Sequence, residues 1–300
     1  MPIDLRLMRY VIAVAETGSF QGAAERLHMA QPPLSRQIRQ LEKELGVALF
    51  HRRPTRPTHA GLAFVASARE ALDAAERTVA VTRQAARTAT GTVRVGYGPM
   101  SAHAEMPQLV AALAGDHPEV VLETQEAWDT ELLEGLRDGE FDAVLGRHLP
   151  VPDGCAAVPL RTEEYVVVVH ASHRLAGRHA VALRDLRGDT FRFLARDLAP
   201  AYHDAVLAVA RSTGEDFTVW ENPVPGLRNH LGIRSDGFML LPRSVAAHLL
   251  PAAAHLPLTD PLPPITLHLL HRTPHDAPAL RAFVRTARQV AAREDWPTAR

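Results

Sequence analysis

Leu34, Ile38, Leu41 and Leu45 recur at intervals of 4, 3 and 4. That spacing gathers four aliphatic side chains on one stripe of an α-helix and leaves the opposite face to water. Pro32 and Pro33 precede the stripe, at positions where a first helical turn has no intrahelical use for backbone N–H groups. Gly46 follows it and suits the left-handed residue that ends many helices. A helix over Gln31–Leu45 is therefore expected. Its outer face carries Gln31, Ser35, Arg36, Arg39, Gln40 and Lys43, side chains of the types that meet phosphates and base edges.

The flanking segments are built to pack on that helix. Leu7, Tyr10, Val11 and Val14 keep helical spacing, which predicts a first helix over Leu5–Glu16. Ser19 is a fitting N-cap for a second helix, about Phe20–His28, whose Ala23-Ala24 pair lets another helix come close. After the third helix, Phe50–Thr58 is short, basic and punctuated by prolines, as a β-wing beside a DNA backbone would be. Residues 1–60 hold nine Lys/Arg against five Asp/Glu, although the whole chain has a net charge of −1. A basic terminal segment on a neutral chain suggests an anionic partner for that segment. On periodicity and charge alone, a DNA-reading helix and an ordinary solvated helix remain equally open.

The motifs go further. Gly18–Arg53 contains Ser-Phe, Ala-Ala-x-x-Leu, Gln-Pro-x-Leu-Ser-Arg-Gln-Ile, Leu-Glu-x-x-Leu-Gly and Leu-Phe-x-Arg in order. This stretch resembles the N-terminal domain of LysR-type transcriptional regulators. The resemblance implies a winged helix-turn-helix in which Gln31, Pro32, Ser35 and Arg36 contact double-stranded operator DNA. Pro33 and Arg39 belong to the same surface, and Arg52 and Arg53 to the wing. One departure is Pro57 before Thr58-His59-Ala60-Gly61, where the family usually has leucine, so the end of the wing is expected to take its own path.

No Pro or Gly interrupts Leu62–Arg87, and Leu62, Val65, Arg69, Leu72, Glu76 and Val79 alternate at 3 and 4. A helix of roughly 26 residues would be about 39 Å long. Its narrow apolar seam fits either a partner helix or its own domain. The resemblance implies the former, an antiparallel linker-helix dimer. Beyond it, strands and helices alternate. Strands are expected at Thr92–Tyr97, Val120–Thr124, Phe141–Gly146, Tyr165–His170, Phe191–Leu194, Phe238–Leu241 and Ile265–His271. Helices are expected at 104–115, Glu131–Asp138, Tyr202–Ser212 and Ala279–Ala292. Alternation of this kind implies parallel sheet.

The C-terminal part is similar to the LysR-type effector domain, which is periplasmic-binding-protein-like and made of two α/β subdomains. The expected division is a winged helix-turn-helix at 1–60, a linker helix at 61–88 and an effector-binding domain at 92–300. Subdomain I would take 92–163 and 265–300, and subdomain II 164–262, with crossings near Glu163-Glu164 and Pro261–Pro264. Ligands in such sheets bind beyond the carboxyl ends of strands. The candidates there are Pro99, Met100, Ser101, Asp129 and Arg147 from the first subdomain, and Tyr202 and Leu227 from the second. Arg147 could grip a carboxylate bidentately or form a surface ion pair. Helix N-termini at Ser101 and Tyr202 would also favour a carboxylate. Arg94-Val95-Gly96-Tyr97, Pro107, Gly139 and Leu145-Gly146-Arg147 resemble regulators of aromatic-compound degradation that respond to benzoate or muconate. The resemblance implies an aromatic or carboxylate effector, a homodimer or dimer-of-dimers tetramer, and RNA polymerase as a further partner. Asp129 departs from it, standing where an uncharged hydroxyl would help an acid bind.

Other functions find no footing. Gly96-x-Gly98 lacks the third glycine of a dinucleotide fingerprint, and no Gly-x-Ser-x-Gly elbow or phosphate loop occurs. The sixteen histidines are scattered without His-Glu-x-x-His spacing, so no metal, no cofactor and no catalytic residue is expected. Cys155 is the only cysteine, which excludes redox sensing through an internal cysteine pair. No signal-peptide apolar region opens the chain, and no apolar run approaches the roughly 18 residues that span a membrane. The expected setting is the cytoplasm, away from membranes. An α/β-domain enzyme with an oligomerising head and an effector-independent DNA-binding protein are the alternatives.

Overall fold

The computed structural model describes residues 4–89, 91–222, 236–247, 253–273, 277–294 and 296. The chain forms two compact units, Met1–Ala80 and Val81–Arg300.

In the first unit, the Asp4 carboxylate accepts the Arg6 N–H at 2.8 Å and opens α1 (Leu5–Thr17), which Gly18 closes at φ +62°. Ser19 caps α2 (Phe20–Arg26) by accepting the Gly22 N–H. Then α3 (Gln31–Leu45) ends at Gly46 with φ +71°. Val11, Val14, Ala23, Ala24, Leu34, Ile38 and Leu41 form the core between the three helices. The wing is an antiparallel pair, β1 (Phe50–Arg52) and β2 (Thr55–Pro57). The departure at Pro57 does not unpair the wing, since Pro57 lies opposite Phe50. Thr58 then ends it: its N–H donates to Leu49 O, its hydroxyl donates to Ala48 O and accepts the Gly61 N–H. That last bond caps α4 (His59–Ala89), which runs 31 residues. Phe64 and Val65 of α4 close the core. Glu16 accepts from Arg26 at 2.6 Å and Arg69 at 2.8 Å, tying α1 to α2 and α4.

The second unit begins β3 (Thr92–Tyr97), α5 (Glu105–Asp116), β4 (Val121–Glu126), α6 (Asp129–Asp138), β5 (Ala143–Arg147) and β6 (Cys155–Glu163). It continues with β7 (Tyr165–His170), β8 (Thr190–Leu194), α7 (Pro200–Arg211), β9 (Val219–Asn222), β10 (Gly237–Pro242), the short α8 (Arg243–Ala246) and β11 (Ala253–Pro257). It closes with β12 (Ile265–Arg272) and α9 (Pro278–Arg293). One sheet has the order β4-β3-β5-β12-β6 and the other β11-β7-β10-β8-β9. Only Glu164 separates β6 of the first sheet from β7 of the second, and residues 258–264 return the chain to β12.

The sheets are mixed rather than parallel. Parallel pairing holds for β4-β3-β5 and for β9-β8-β10, whereas β12 runs antiparallel to β5 and β6, and β7 antiparallel to β10 and β11. The reason is the double crossing. A strand that enters a sheet from the other one has no crossover helix to turn it parallel. The strands missing from the sequence-based expectation, β6, β9 and β11, are all edge strands. Pro159 is tolerated in β6 for that reason, and the pairing with β12 shifts register between Leu267 and His268.

Val95, Leu109, Leu145, Leu269 and Phe283 lie in the core of the first sheet. Phe191 and Phe238, stacked at 5.0 Å, lie in that of the second. Gly96 and Gly135 let α6 lie close on β3, because a Cβ at either would come within 3.0 Å of Phe141. Gly96, the first glycine of the Gly96-x-Gly98 spacing, thus serves packing.

Candidate nucleic-acid interface and effector site

The buried stripe of α3 turns its other face outward. Gln31, Pro32, Arg36, Arg39, Gln40 and Lys43 are exposed, and Pro33 and Ser35 are half-buried. Ala30, the N-cap, supplies no side-chain hydrogen bond to the opening turn, so this helix end keeps its partial positive charge for an outside partner. Arg39 Nε donates to Ser35 O at 3.2 Å. Arg36 makes no ion pair among the described residues, and neither do Arg53 and Arg56 of the wing. Arg52 is different. Its guanidinium is held by Glu42 and lies 5.1 Å from the centre of the Phe20 ring. Glu42 also accepts the Leu49 N–H at 2.8 Å and the Phe50 N–H at 3.2 Å. Arg52 and Glu42 thus fasten the root of the wing to α3, and the cations left uncommitted in the wing are Arg53 and Arg56. Sequence reasoning passed over Arg56, although it sits in the same basic segment.

In the second unit, β4, β3 and β5 are parallel neighbours, with Tyr97 opposite both Glu126 and Leu145. Their carboxyl ends therefore lie side by side. Past β3 comes the 3-10 turn Pro99–Ser101, past β4 the start of α6 at Asp129, and at the end of β5 Arg147 and His148. From the other sheet, the first turn of α7 brings Tyr202. The two sets meet: Met100 and Trp128 pack on the core that contains Tyr202, and the His148 ring lies 6.1 Å from that of Tyr202. His148 Nε2 is 3.2 Å from the Tyr165 hydroxyl. Pro99, Met100, Ser101, Asp129 and Tyr202 are thus brought to one junction between the sheets. Leu227 lies outside the described residues.

Arg147 reaches this junction already committed. Its Nη2 is 2.7 Å from Glu105 and 2.9 Å from Glu163, and it donates to Ser244 Oγ at 3.1 Å. Arg161 Nη1 adds a second contact to Glu105 at 3.3 Å. Arg147 is 3% exposed and Glu105 fully buried. The ion pair is buried rather than at the surface: Arg147 sits in a network of two cations and two anions, with its Nη2 spent on the glutamates. Burial works against the Arg147 charge, and the two glutamates outweigh it and hold the guanidinium protonated. Ser244, on α8 behind β10, brings the second sheet into the network, and its N–H donates to Glu163 at 2.6 Å. Glu105, Glu163 and Ser244 had no motif to reveal them. The one available signal was the position of Glu163 at the crossing.

Most buried polar atoms in folded proteins have a hydrogen-bond partner. Here Ser101 Oγ, Asp129 Oδ2, Tyr202 Oη and the Nε and Nη1 of Arg147 are buried and have none among the described residues. Burial pushes the Asp129 carboxyl up to about 7 and the Tyr202 hydroxyl well above its ordinary value. Burial also lowers His148. The junction is a polar site with its hydrogen-bonding groups unspent, walled by Met100, Trp128, Tyr202 and His148. Among the described residues no cluster of His, Cys, Asp or Glu could hold a metal, and no helix is long and apolar enough to cross a membrane.

Comparison with known proteins covers both units. Residues 5–62 match the bacterial regulatory helix-turn-helix protein model of the lysR family, and residues 86–292 match the LysR substrate binding domain. The HTH-type transcriptional regulator TfdS of Cupriavidus pinatubonensis is 31% identical over 96% of this chain and 98% of its own. The HTH-type transcriptional regulator BenM of Acinetobacter baylyi is 30% identical over 98% of each chain. The crystal structure of full-length CbnR complexed with its target DNA superposes with a TM-score of 0.59 at 29% identity, covering 96% of this chain and 100% of that one.

Proposed function

The chain belongs to the LysR family of bacterial transcriptional regulators, and on that premise we propose which of its surfaces read DNA and which take the effector. It is a DNA-binding regulator with an effector-binding domain, and not an enzyme. The DNA surface is Gln31, Pro32, Pro33, Ser35, Arg36 and Arg39 on α3, flanked by Arg53 and Arg56 of the wing. Arg52 contributes by fixing the wing. What carries this reading is the exposed cationic face of a helix whose opposite stripe, Leu34, Ile38 and Leu41, is buried. A winged helix-turn-helix at 1–60 does the reading in the cytoplasm, and α4 pairs two heads, since two half-sites give a selectivity one head lacks. Four such heads would assemble in a dimer of dimers.

The effector sits at the junction of the two sheets, where Ser101, Asp129 and Tyr202 leave buried polar atoms without partners. A small ring-bearing molecule suits the aromatic walls. A ligand there biases the relative placement of the two sheets and so the population of DNA-binding states. The matching of Arg147 by glutamates removes the main attraction for a free carboxylate.

A gel-shift titration on the DNA flanking the chain's own gene tests the DNA surface. Arg36→Ala should weaken binding by about 1–3 kcal/mol, and Arg53→Ala should flatten the salt dependence by about one phosphate contact. Wild-type affinity and salt slope in both variants would overturn it. A thermal shift of the full chain across a metabolite panel separates an effector-controlled regulator from one that needs no effector, since a bound ligand raises apparent stability.

A further inference from the structure

Asp129 is the carboxyl at the sheet junction that no cation or hydrogen-bond donor answers among the described residues. It is 9% exposed, its Oδ2 is buried, and its carboxyl makes no hydrogen bond among the described residues. It is the first residue of α6, directly after the Trp128 N-cap, and its carboxylate accepts no backbone N–H of its own helix. Asp129 acts on Tyr202 of α7, and the other ionisable groups around that hydroxyl are Tyr165 on β7, Arg147 at the end of β5 and Glu163, with His148 against the Tyr202 ring and Glu105 on Arg147. The two tyrosines carry no charge near neutrality, and burial keeps His148 toward its neutral form. Arg147 and Arg161 are matched by Glu105 and Glu163. No spare positive charge therefore faces Asp129 among the described residues.

An anion brought into this site would meet a second carboxyl in a buried setting, where like charges disfavour each other most once Asp129 ionises. A hydrogen-bond donor would meet the acceptor it needs. We propose that Asp129 sets the effector class: the effector is neutral or cationic, presents an N–H or O–H group to the Asp129 carboxyl, and is not a carboxylate. This rests on the junction being the effector site. Ser101 and Tyr202, whose hydroxyls either donate or accept, serve the rest of the ligand's polar groups. The unspent Arg147 nitrogens suit a neutral acceptor, such as a carbonyl or ring nitrogen. The elevated Asp129 proton affinity adds a signature, since a cation binds best to the ionised carboxyl and a neutral donor is nearly indifferent.

Benzoate, benzamide and benzamidine share a ring and a planar substituent, and differ in carrying a negative charge, no charge and a positive charge. Each is titrated into the full-length protein by calorimetry at pH 6 and pH 8, alongside Asp129→Asn and Asp129→Thr. At pH 8, where the Asp129 carboxyl is ionised, benzamide and benzamidine should bind the wild type at least tenfold tighter than benzoate, and benzoate should weaken from pH 6 to pH 8. Benzamidine should tighten several-fold from pH 6 to pH 8, with benzamide unchanged. In Asp129→Thr, benzoate should gain at least tenfold and the pH dependence for benzamidine should vanish. Asp129→Asn keeps the shape of the side chain and should likewise abolish that pH dependence, even where the threonine variant folds poorly. The proposal fails if benzoate binds the wild type as tightly as benzamide at pH 8, or if the order of the three is the same in the variants. If none of the three binds any of the proteins, the junction itself is not the effector site and the proposal falls with it.

Discussion

A carboxyl group that keeps its proton to about pH 7 makes folding depend on pH, and Asp129 is such a group. Its position at the positive end of α6 favours the carboxylate by no more than about 1 kcal/mol, which burial outweighs. In the unfolded chain the proton leaves near the ordinary value of 3.8. The folded state therefore binds more protons, and this contribution is full below about pH 4 and lost as pH rises through 7. Asp129→Asn should leave stability nearly unchanged at pH 4 and raise it relative to wild type at pH 8, by up to about 4 kcal/mol. Urea denaturation at the two pH values measures it. Asp129 was legible in the sequence because it stands alone past a strand end. The fate of Arg147 was not, because Glu163 and Glu105 lie 16 and 42 residues away and nothing local marks them. The same holds for Arg52, whose partner Glu42 lies on the preceding helix.

Among elements, those that bury a full face were readable, and of the edge strands in the second unit only β4 was. The α3 stripe gave both helix ends to the residue, since its caps are local chemistry. The valine run of β7, buried from Tyr165 to Val169, was equally plain. By contrast β6, β9 and β11 pair on one side only, and their exposed positions break any apolar run. Gly61 shows a constraint between elements. A Cβ there would lie 2.0 Å from the Leu49 carbonyl oxygen, a backbone atom that cannot swing aside. The wing root and α4 touch through that missing side chain. Gly61→Ala should push them apart and cost about 1–3 kcal/mol, with a matching loss of affinity for operator DNA. A thermal melt and a gel shift on the same sample would show both, and a wild-type melt would refute the contact.

At the scale of the molecule, two units carry the two tasks, and the second unit joins its two sheets through a buried charge network. Arg147 holds Glu105 and Glu163 of the first sheet's side and Ser244 of the second's. Arg147→Ala would leave two buried carboxylates with only Arg161 to answer them. Such a loss costs about 3–5 kcal/mol, and it should appear in the ligand-free protein as a lower melting temperature. A residue that only gripped effector would leave the ligand-free melt unmoved. The crossing points were visible in the sequence as the Glu163-Glu164 pair and the proline-rich return, but the antiparallel pairing they impose was not.

The same closed set of charges has a consequence for how fast ligands arrive. A network whose charges cancel adds no long-range field of its own, and an uncharged ligand is neither gathered nor deflected from afar. Capture of a small molecule by the second unit should proceed at a rate set by diffusion and by opening of the site, flat across ionic strength. Arrival of DNA at the first unit, guided by Arg36, Arg53 and Arg56, should slow steeply over the same range. Stopped-flow traces with benzamide and with a labelled duplex, from 20 mM to about 500 mM salt, would set the two encounters side by side. A regulator built this way hears its chemical signal equally well in dilute and concentrated salt, while its grip on DNA follows the ionic strength.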